Sequence, residues 1–411
     1  MSTTNLAIAG GPPVRTKPYP EWPTADERER ELLLEVLDSR RWWATQGTKV
    51  REFEAAWAGF HGAESSIAVT NGSHTLEIAL LALGVGEGDE VIVPNWTFFA
   101  TVAAVLMVNA VPVLVDVDPD TGCIDPGAVR AAIGPRTRAV IPVHIAGSVA
   151  DMDAITAIAR EHDLVVVEDC AHAHGSTWHG TPVGMLGDAG SYSFQSSKLM
   201  TGGEGGAIVS RHRDVLDVAR SLSDCGRRPG EWFYSHYLLG GNYRMTEWQG
   251  AVLLAQLERF PEQQRNRARN AEMLNRELAS IPGIHPQGRL AGCTSQGNYC
   301  YVVRVEESDF GLDRDTLREA LLAEGIPLTM AYPPLTRLDV FSDPDGLSPR
   351  VRSKRGMSDF PSLSLPVSER MADTTLWFTT SVLMGTEDDA RDVVRAVRKV
   401  MEHRREIPSR G

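Results

Sequence analysis

The sequence SYSFQSSKLMTGGEGGA, residues 191–207, decides how the rest of the chain is interpreted. Lys198 follows an apolar, strand-like run and precedes Leu199 and Met200, so its side chain is expected to be buried. Burial removes water from an ammonium group, which lowers the pKa of the lysine and favours the neutral amine that attacks a carbonyl. The stretch therefore predicts a lysine that can form a Schiff base.

The glycines that follow Lys198 fit the same interpretation. Residues without a Cβ allow positive φ and let a bulky ring approach the backbone. The cluster consists of Gly202, Gly203, Gly205 and Gly206. A plain loop explains these glycines equally well, so the cluster supports the lysine hypothesis without deciding it.

Composition limits the classes of function that this lysine can serve. The chain has 411 residues, of which 42% are hydrophobic, enough for a large core and two or three domains. The formal net charge is −13, from 41 basic and 54 acidic residues, and no run of Lys or Arg forms a stripe along which a phosphate backbone could lie. This balance argues against a nucleic-acid partner.

The cysteines and the apolar segments predict the cellular compartment of the protein. The five cysteines are scattered and show no CxxC spacing, which predicts a reducing, cytoplasmic environment and no metal site. The N-terminal sequence MSTTNLAIAGGPP lacks the apolar core of an export signal. The most apolar region, residues 91–117, is interrupted by Pro94, Asn95, Asn109 and Pro112, which argues against a membrane span.

From about Ser66, short β-rich runs alternate with helix-length amphipathic segments, a pattern typical of a parallel, doubly wound sheet. The seven strand candidates are residues 66–69, 90–93, 112–117, 139–144, 164–169, 190–194 and 206–209. Near Pro261 this pattern stops, and a different composition follows. We therefore predict an α/β fold with an N-terminal arm and a large domain over residues 1–261, and a smaller α+β domain over residues 262–411.

Two helices are predicted in detail. Thr24, with Glu27 three residues later, indicates a capping box that opens a helix with its leucines, Leu33, Leu34 and Leu37, facing inward. A long charged helix is predicted from Pro261 to about Leu278.

In open parallel sheets, ligands bind beyond the carboxyl ends of the strands. After the first strand, Gly72 lets the backbone approach a ligand, Ser73 can cap the next helix, and the free N–H groups of that helix would hold a phosphate. A simple helix cap is the competing explanation. After the second strand, an aromatic side chain of residues 94–99 could stack on a flat ring, although aromatics at such positions are more often core.

The strand at residues 164–169 ends in Glu168 and Asp169, and a buried carboxylate is costly unless it is paired. A protonated pyridine nitrogen would be a suitable partner for Asp169, and the pairing would keep that nitrogen protonated. A helix cap is the alternative role. His172 could hydrogen-bond an oxygen on the same ring, or it could simply pack, and Ser193 could offer its hydroxyl to a phosphate.

Five sequence motifs together resemble those of a known enzyme family. The motifs are TNGSHTLEIAL, VPNWTFFAT, VVVEDCAHAHG, SYSFQSSKLMTGGEGGAIV and NYRMTEWQGAVLLAQL. Together they resemble the DegT/DnrJ/EryC1/StrS group of pyridoxal-phosphate aminotransferases, which act on keto-sugars and keto-cyclitols. The resemblance is greatest to the branch with aminocyclitol aminotransferases and 3-amino-5-hydroxybenzoate synthases. The resemblance implies the fold type I of pyridoxal-phosphate enzymes, and it extends from about residue 10 through the C-terminal helix.

The resemblance also implies a role for each motif residue. Lys198 would bind the cofactor aldehyde, Asp169 would pair with the pyridine nitrogen, and Phe98 would stack on the ring. The implied phosphate ligands are Gly72, Ser73 and Ser193, and Asn242 would reach the phosphate from a neighbouring subunit. These roles imply a homodimer with shared active sites. His172 stands where the family often has Gln near the ring hydroxyl.

The implied activity is amino transfer from L-glutamate or L-glutamine to a keto-cyclitol or keto-sugar in antibiotic biosynthesis. The family's histidines around a Tyr-x-Pro segment are missing near Tyr332, which disfavours a nucleotide-sugar substrate. Tyr332 itself either touches substrate or forms a structural turn. The main alternative is an aromatising dehydratase of the aminohydroxybenzoate synthase type. A sugar dehydratase is disfavoured because those enzymes replace the lysine by histidine, and a non-enzymatic binding protein is the other alternative.

Overall fold

The computed structural model describes residues 5–342 and 357–407. Its strands are β1 (Ser66–Val69), β2 (Glu90–Pro94), β3 (Val111–Val115), β4 (Thr137–Val140), β5 (Val165–Asp169), β6 (Thr177–Trp178), β7 (Thr181–Pro182), β8 (Ala189–Ser193), β9 (Gly206–Val209), β10 (Ile284–Pro286), β11 (Cys293–Ser295), β12 (Tyr301–Val305), β13 (Leu328–Thr329) and β14 (Thr375–Phe378). Its α-helices are α1 (Glu27–Ser39), α2 (Lys49–His61), α3 (Gly72–Ala82), α4 (Phe99–Met107), α5 (Pro126–Ala132), α6 (Met152–His162), α7 (Arg213–Ser223), α8 (Glu247–Leu278), α9 (Glu307–Phe310), α10 (Arg314–Ala323), α11 (Asp339–Ser342), α12 (Pro366–Thr374), α13 (Ser381–Met384) and α14 (Glu387–His403).

The central sheet contains seven strands in the order β1-β9-β8-β5-β4-β2-β3. From β8 to β3 every neighbouring pair is parallel, whereas β9 is antiparallel to both β1 and β8. The predicted mostly parallel sheet is therefore confirmed, and each of the seven strand candidates overlaps an observed strand. Helices cover the sheet with two hydrophobic clusters, one around Phe53 and Trp57 of α2, which precedes β1, and one around Leu76 and Leu80 of α3, which follows it.

Two smaller antiparallel sheets lie beside the central one. The first has the order β10-β12-β14-β13 and is covered by α10 and α14. The second joins the short hairpin of β6 and β7 to β11, so it connects the part of the chain before residue 261 with the part after it. The hairpin was not anticipated from the sequence, because its two strands have two residues each and show no periodicity. The division of the chain at residue 261 remains a prediction.

The first described residues contact the C-terminal part of the chain. Leu6 is buried in the same cluster as the helices α10 and α14. The guanidinium of Arg15 forms ion pairs of 2.9 Å with Asp389 and 2.8 Å with Asp392 on α14. The N-terminal arm is thus fixed to the small antiparallel sheet by both apolar contacts and charge.

The prediction for α1 was wrong in its first residue and in its buried face. Asp26, not Thr24, caps the helix, because its carboxylate accepts a hydrogen bond of 2.8 Å from the N–H of Arg28. Of the three predicted leucines, Leu33 packs against α8, but Leu34 and Leu37 are each 48% exposed, whereas Leu32 and Val36 are buried. Packing against Ala251 and Ala255 of α8 selects this face, and the sequence pattern of three leucines could not show the position of α8.

The prediction for the long charged helix was wrong at its start. The helix α8 begins at Glu247, not at Pro261, and continues through Pro261 to Leu278. Its N-terminus is closed by a capping box, in which the N–H of Thr246 donates to the Gln249 amide oxygen over 2.9 Å. Contacts with α2 before the proline and with α13 and α14 after it hold both halves in place, which offsets the hydrogen bond that proline cannot donate.

Among the helices of the described residues, none has the length and apolar character required to cross a membrane.

Candidate active site

A cavity of about 610 Å³ lies beyond the carboxyl ends of β1, β2, β5 and β8. Eight of the nine predicted site residues line it: Gly72, Ser73, Phe98, Asp169, His172, Ser193, Lys198 and Tyr332. Asn242 is not part of this lining. The topology explains the grouping, because parallel strands deliver the residues that follow them to one edge of the sheet.

Lys198 is placed by a turn after β8, in which its N–H donates to the carbonyl of Gln195 over 2.8 Å. The side chain is only 8% exposed. Burial lowers the pKa of Lys198 to about 8, although the charge of Asp169 acts in the opposite direction. About a tenth of the amine is therefore neutral at pH 7, far more than the few parts in ten thousand expected for an ordinary lysine, and this neutral form is the nucleophile.

Asp169 is the last residue of β5, and its carboxylate faces the cavity. One oxygen accepts a hydrogen bond of 2.9 Å from the Thr101 hydroxyl and the other accepts one of 3.2 Å from the N–H of Ala171. Burial nevertheless raises the pKa of Asp169, because these donors are neutral and only partly replace water. A cation seated in the cavity beside Asp169 would compensate the charge.

Glu168, the preceding residue, is fully buried but differs in its hydrogen bonding. Its carboxylate accepts hydrogen bonds of 2.7–2.8 Å from three backbone N–H groups and one of 3.1 Å from His144. His144, Glu168 and Cys170 lie close enough together to suggest a metal site. However, the four donors already occupy the Glu168 oxygens, so Glu168 anchors the loop of residues 184–187 to β5.

The start of α3 and the end of β8 form a cradle for an anion. A Cβ added to Gly72 would lie 2.5 Å from the Cβ of Ser193 and 3.0 Å from its hydroxyl oxygen, so only glycine allows this approach. Asn71, not the expected Ser73, caps α3, because its side chain accepts a hydrogen bond of 2.9 Å from the N–H of His74. The hydroxyl of Ser73 is thereby left for a ligand, beside the free N–H groups of the first helical turn.

Aromatic side chains form another wall of the cavity. Phe98 precedes α4, is 54% exposed, and has its ring 5.6 Å from that of Tyr332. Trp96 is fully buried and its indole N–H donates to the carbonyl of Tyr332 over 2.9 Å. Of these two aromatics Phe98 is therefore the one with an accessible face for stacking.

His172 is engaged at both ring nitrogens. Its Nδ1 accepts from the N–H of Ala146 over 3.3 Å, and its Nε2 lies 3.2 Å from the Tyr332 hydroxyl. Burial places the pKa of His172 well below its usual value, so the ring is neutral. A neutral ring that accepts at Nδ1 carries its hydrogen on Nε2, which leaves this N–H to be shared between Tyr332 and any ring oxygen in the cavity.

Two side chains of the site were missed by the sequence analysis. Thr101 contacts Asp169 from the first turn of α4, and a hydroxyl at that helix start was a signal that could have been noticed. Tyr299 lines the cavity next to Lys198. No local sequence signal marks Tyr299, because it comes from the connection between β11 and β12, about 100 residues further along the chain.

The arrangement fits the cofactor that the family resemblance implies. A buried carboxylate without a cationic partner suits a protonated pyridine nitrogen, a lysine with a lowered pKa suits an aldehyde, and a helix start with free N–H groups suits a phosphate. The individual roles of the nine residues remain predictions, and the fit rests on these local properties.

Comparisons with known proteins support the resemblance. A model of the DegT/DnrJ/EryC1/StrS aminotransferase family matches residues 23–398. A Streptoalloteichus tenebrarius protein, provisionally named L-glutamine:3-amino-2,3-dideoxy-scyllo-inosose aminotransferase, is 44% identical over 97% of this chain and 98% of its own length. The L-glutamine:2-deoxy-scyllo-inosose aminotransferase of that organism is 39% identical over 98% of this chain and 99% of its own length.

Solved structures give a similar result. The crystal structure of 3-amino-5-hydroxybenzoic acid synthase superposes with a TM-score of 0.84 at 34% identity, and the match covers 95% of this chain and 100% of that one. The structure of DesI, determined in the presence of its TDP-sugar product, has a TM-score of 0.83 at 32% identity, with 98% of each chain covered.

The anion cradle predicts a steric effect of Gly72→Ala. The added methyl group would collide with Ser193, so we expect the affinity for pyridoxal phosphate to fall at least about tenfold, equivalent to about 1.4 kcal/mol. Fluorescence titration of cofactor-free protein measures this affinity. Gly59→Ala is the matched control, because a Cβ at Gly59 in α2 meets no atom within 4 Å. Equal affinity in Gly72→Ala and wild type would contradict the cradle.

The unpaired carboxylate predicts a pH-dependent effect of Asp169→Asn on stability. Burial raises the folded-state pKa of Asp169, so its ionisation begins to cost folding free energy as the pH rises above the ordinary pKa of aspartate, and the cost is complete above the folded-state pKa. We expect cofactor-free Asp169→Asn to melt roughly 2 °C above wild type at pH 8. The difference should shrink as the pH falls toward the ordinary pKa of aspartate, where wild type is protonated. Thermal melts at several pH values measure this, with the exposed Asp163→Asn as control. A pH-independent difference would contradict the argument.

Proposed function

The chain belongs to the DegT/DnrJ/EryC1/StrS aminotransferase family, and we propose that it transfers an amino group from L-glutamine to the ketone of a six-membered cyclitol. It is an aminotransferase, and its cofactor is pyridoxal 5′-phosphate. The observation that carries the proposal is the convergence of Lys198 and Asp169 in one cavity, together with the anion cradle at Gly72.

The choice of substrates rests on the named relatives. Both Streptoalloteichus proteins are named for L-glutamine and for a scyllo-inosose derivative, and both cover nearly the whole chain. We propose 2-deoxy-scyllo-inosose or its 3-amino-2,3-dideoxy counterpart as the amino acceptor, in the biosynthesis of an aminoglycoside-type antibiotic. The aromatising alternative is less well supported, since the 3-amino-5-hydroxybenzoic acid synthase is 34% identical, against 44% and 39% for the cyclitol enzymes.

The proposed mechanism assigns a task to each side chain. Bound pyridoxal phosphate supplies an aldehyde that exchanges amines and a ring that withdraws electrons. Lys198 would hold the cofactor aldehyde in the resting enzyme, and as a free amine it would remove the proton from the donor α-carbon. Its pKa of about 8 suits both the acceptance and the return of that proton. Asp169 keeps the pyridine nitrogen protonated, and Gly72, Ser73 and Ser193 hold the phosphate.

The proposal includes a homodimer in which Asn242 serves the neighbouring active site. Asn242 lies outside the cavity of its own chain, where it pairs with Asp224 through a backbone bridge. The segment just before it exposes large apolar side chains: Trp232 is 71%, Tyr234 66% and Leu239 100% exposed. Several large exposed apolar side chains in one short segment are typical of a protein interface. A partner subunit that covers it would bring Asn242 toward the phosphate.

The half-reactions test the function directly. We expect L-glutamine to convert the enzyme to its amine form, seen as a loss of the long-wavelength absorbance of the cofactor, and either scyllo-inosose ketone to restore it. Lys198→Ala should show neither change, whereas the exposed Lys17→Ala should behave like wild type. If the absorbance returned only with a nucleotide-linked keto-sugar, the proposal of a cyclitol ketone as the amino acceptor would be wrong. Formation of an aromatic product would favour the dehydratase alternative.

Hybrid dimers test the shared active site. Lys198→Ala and Asn242→Ala subunits, carrying different tags and purified as a mixed dimer, form one site with both changes and one site with neither. If Asn242 acts in the partner's site, we expect the hybrid to show about half of the wild-type activity per dimer, well above either parent. If the hybrid is no more active than the average of the two parents, Asn242 does not act across the interface.

A further inference from the structure

Tyr299 lies beside the reactive amine of Lys198. The Nζ atom is 4.8 Å from the centroid of the tyrosine ring, a distance at which an ammonium ion is attracted to the electrons of an aromatic face. The same ring stacks on the imidazole of His172, with 4.1 Å between the centroids and 15° between the planes. Tyr299 therefore contacts two residues of the candidate site at once.

The tyrosine ring is fixed before any ligand binds. Its hydroxyl is 2.9 Å from the Ser197 hydroxyl, and its N–H donates to the carbonyl of Ala146 over 3.1 Å. Ser197 directly precedes Lys198, so the hydroxyl contact ties Tyr299 to the lysine turn. Ala146 also donates its N–H to the Nδ1 atom of His172, so the backbone contact ties Tyr299 to the residue that orients the histidine. The aromatic face is thus held in a set position relative to the lysine side chain.

Among the groups that face Lys198, two could stabilise its ammonium form: the carboxylate of Asp169 and the aromatic ring of Tyr299. The facing groups come from three parts of the chain: Asp169 from β5, His172 and His174 from the loop after it, and Tyr299 and Cys300 from the segment before β12. Both histidines are neutral because burial lowers their pKa, that of His174 to about 3, and burial raises the pKa of the Cys300 thiol to about 12. Asp169 is therefore the anion of this set.

An ion pair with Asp169 would be harmful to the proposed reaction. It would neutralise the carboxylate that the pyridine nitrogen needs, and it would hold the amine away from the substrate carbon. Within residues 5–342 and 357–407, no ion pair joins Lys198 and Asp169, and the amine lies over Tyr299 instead. An aromatic face can stabilise an ammonium ion without competing for the proton.

We propose that Tyr299 is a positioning residue, which holds the free amine of Lys198 over its ring and apart from Asp169 during the part of the cycle when this amine is not bonded to the cofactor. The proposal rests on the proposed aminotransferase function, in which Lys198 is repeatedly released. It assigns the effect to the aromatic face. The stacking on His172 and the backbone hydrogen bond to Ala146 hold that face without the tyrosine hydroxyl, so the hydroxyl should be dispensable for the effect.

The test is the pKa of the Lys198 amine in the amine form of the holoenzyme, where the lysine is free. Trace acetylation with acetic anhydride across pH, against an added amine of known pKa, followed by mass spectrometry of the peptide that contains Lys198, measures it. The variants are Tyr299→Phe, which keeps the aromatic face, and Tyr299→Leu, which replaces it by a smaller apolar side chain. A series of increasingly fluorinated phenylalanines at position 299 weakens the electrostatic attraction of the face with little change in its shape.

We expect Tyr299→Phe to match wild type, and Tyr299→Leu and the most fluorinated ring to lower the Lys198 pKa by roughly one pH unit, with intermediate values along the series. The pH profile of the glutamine half-reaction should move in parallel. An unchanged pKa along the fluorinated series, or a change in Tyr299→Phe equal to that in Tyr299→Leu, would overturn the proposal even if Tyr299→Leu folds poorly. Failure of wild type to react with L-glutamine would instead overturn the proposed function, and labelling of the cofactor-free protein would still test the contact.

Discussion

The parallel hydrogen bonding between β5 and β8 places Asp169 directly opposite Ser191. Both strands end at the same edge of the sheet, and Ser193 and the turn that carries Lys198 follow Ser191 within a few residues, so they lie beside Asp169. A carboxylate and a primary amine are thus brought to one cavity by backbone pairing alone, before any side-chain contact is considered. The rest of the site depends on this register. If β5 were shifted by one residue, the Glu168 side chain would point into the cavity and the Asp169 side chain would point to the opposite face of the sheet.

Glu168 and Asp169 show how the fold separates structural from functional charge. Successive residues of a strand point to opposite faces, so Glu168 enters the loop of residues 184–187 and Asp169 enters the cavity. Glu168 is saturated by four donors and stabilises the protein without any ligand. Asp169 has two neutral donors and an unfavourable raised pKa. Asp169 is therefore a destabilising residue at a position where a cationic ring nitrogen can compensate its negative charge. Binding of the cofactor would then raise the stability of the protein.

Much of this arrangement could be predicted from the sequence, for a physical reason. Buried parallel strands are short apolar runs bounded by turns, and ligand-binding residues follow them directly, so the strands and the side chains after them share one local signal. The cap of α1, the start of α8 and the role of Tyr299 depend instead on contacts between distant segments. Asp26 and Thr24 are both acceptable caps, each with a glutamate three residues later, and Pro261 normally disfavours a continuous helix. No periodicity shows that Tyr299 meets a lysine about 100 residues earlier.

The aromatic wall connects the two parts of the chain that the sequence analysis separated. Phe98 follows β2 of the central sheet, whereas Tyr299 and Tyr332 follow the long helix α8. His172 stacks on Tyr299, and its Nε2 lies 3.2 Å from the Tyr332 hydroxyl. Since the N–H of Ala146 fixes His172 as an acceptor at Nδ1, its Nε2–H donates to the Tyr332 oxygen, and the tyrosine hydrogen then points to another acceptor. A hydroxyl-rich cyclitol ketone offers such acceptors, so we infer that the wall which orients the lysine on one side can orient a polar substrate on the other.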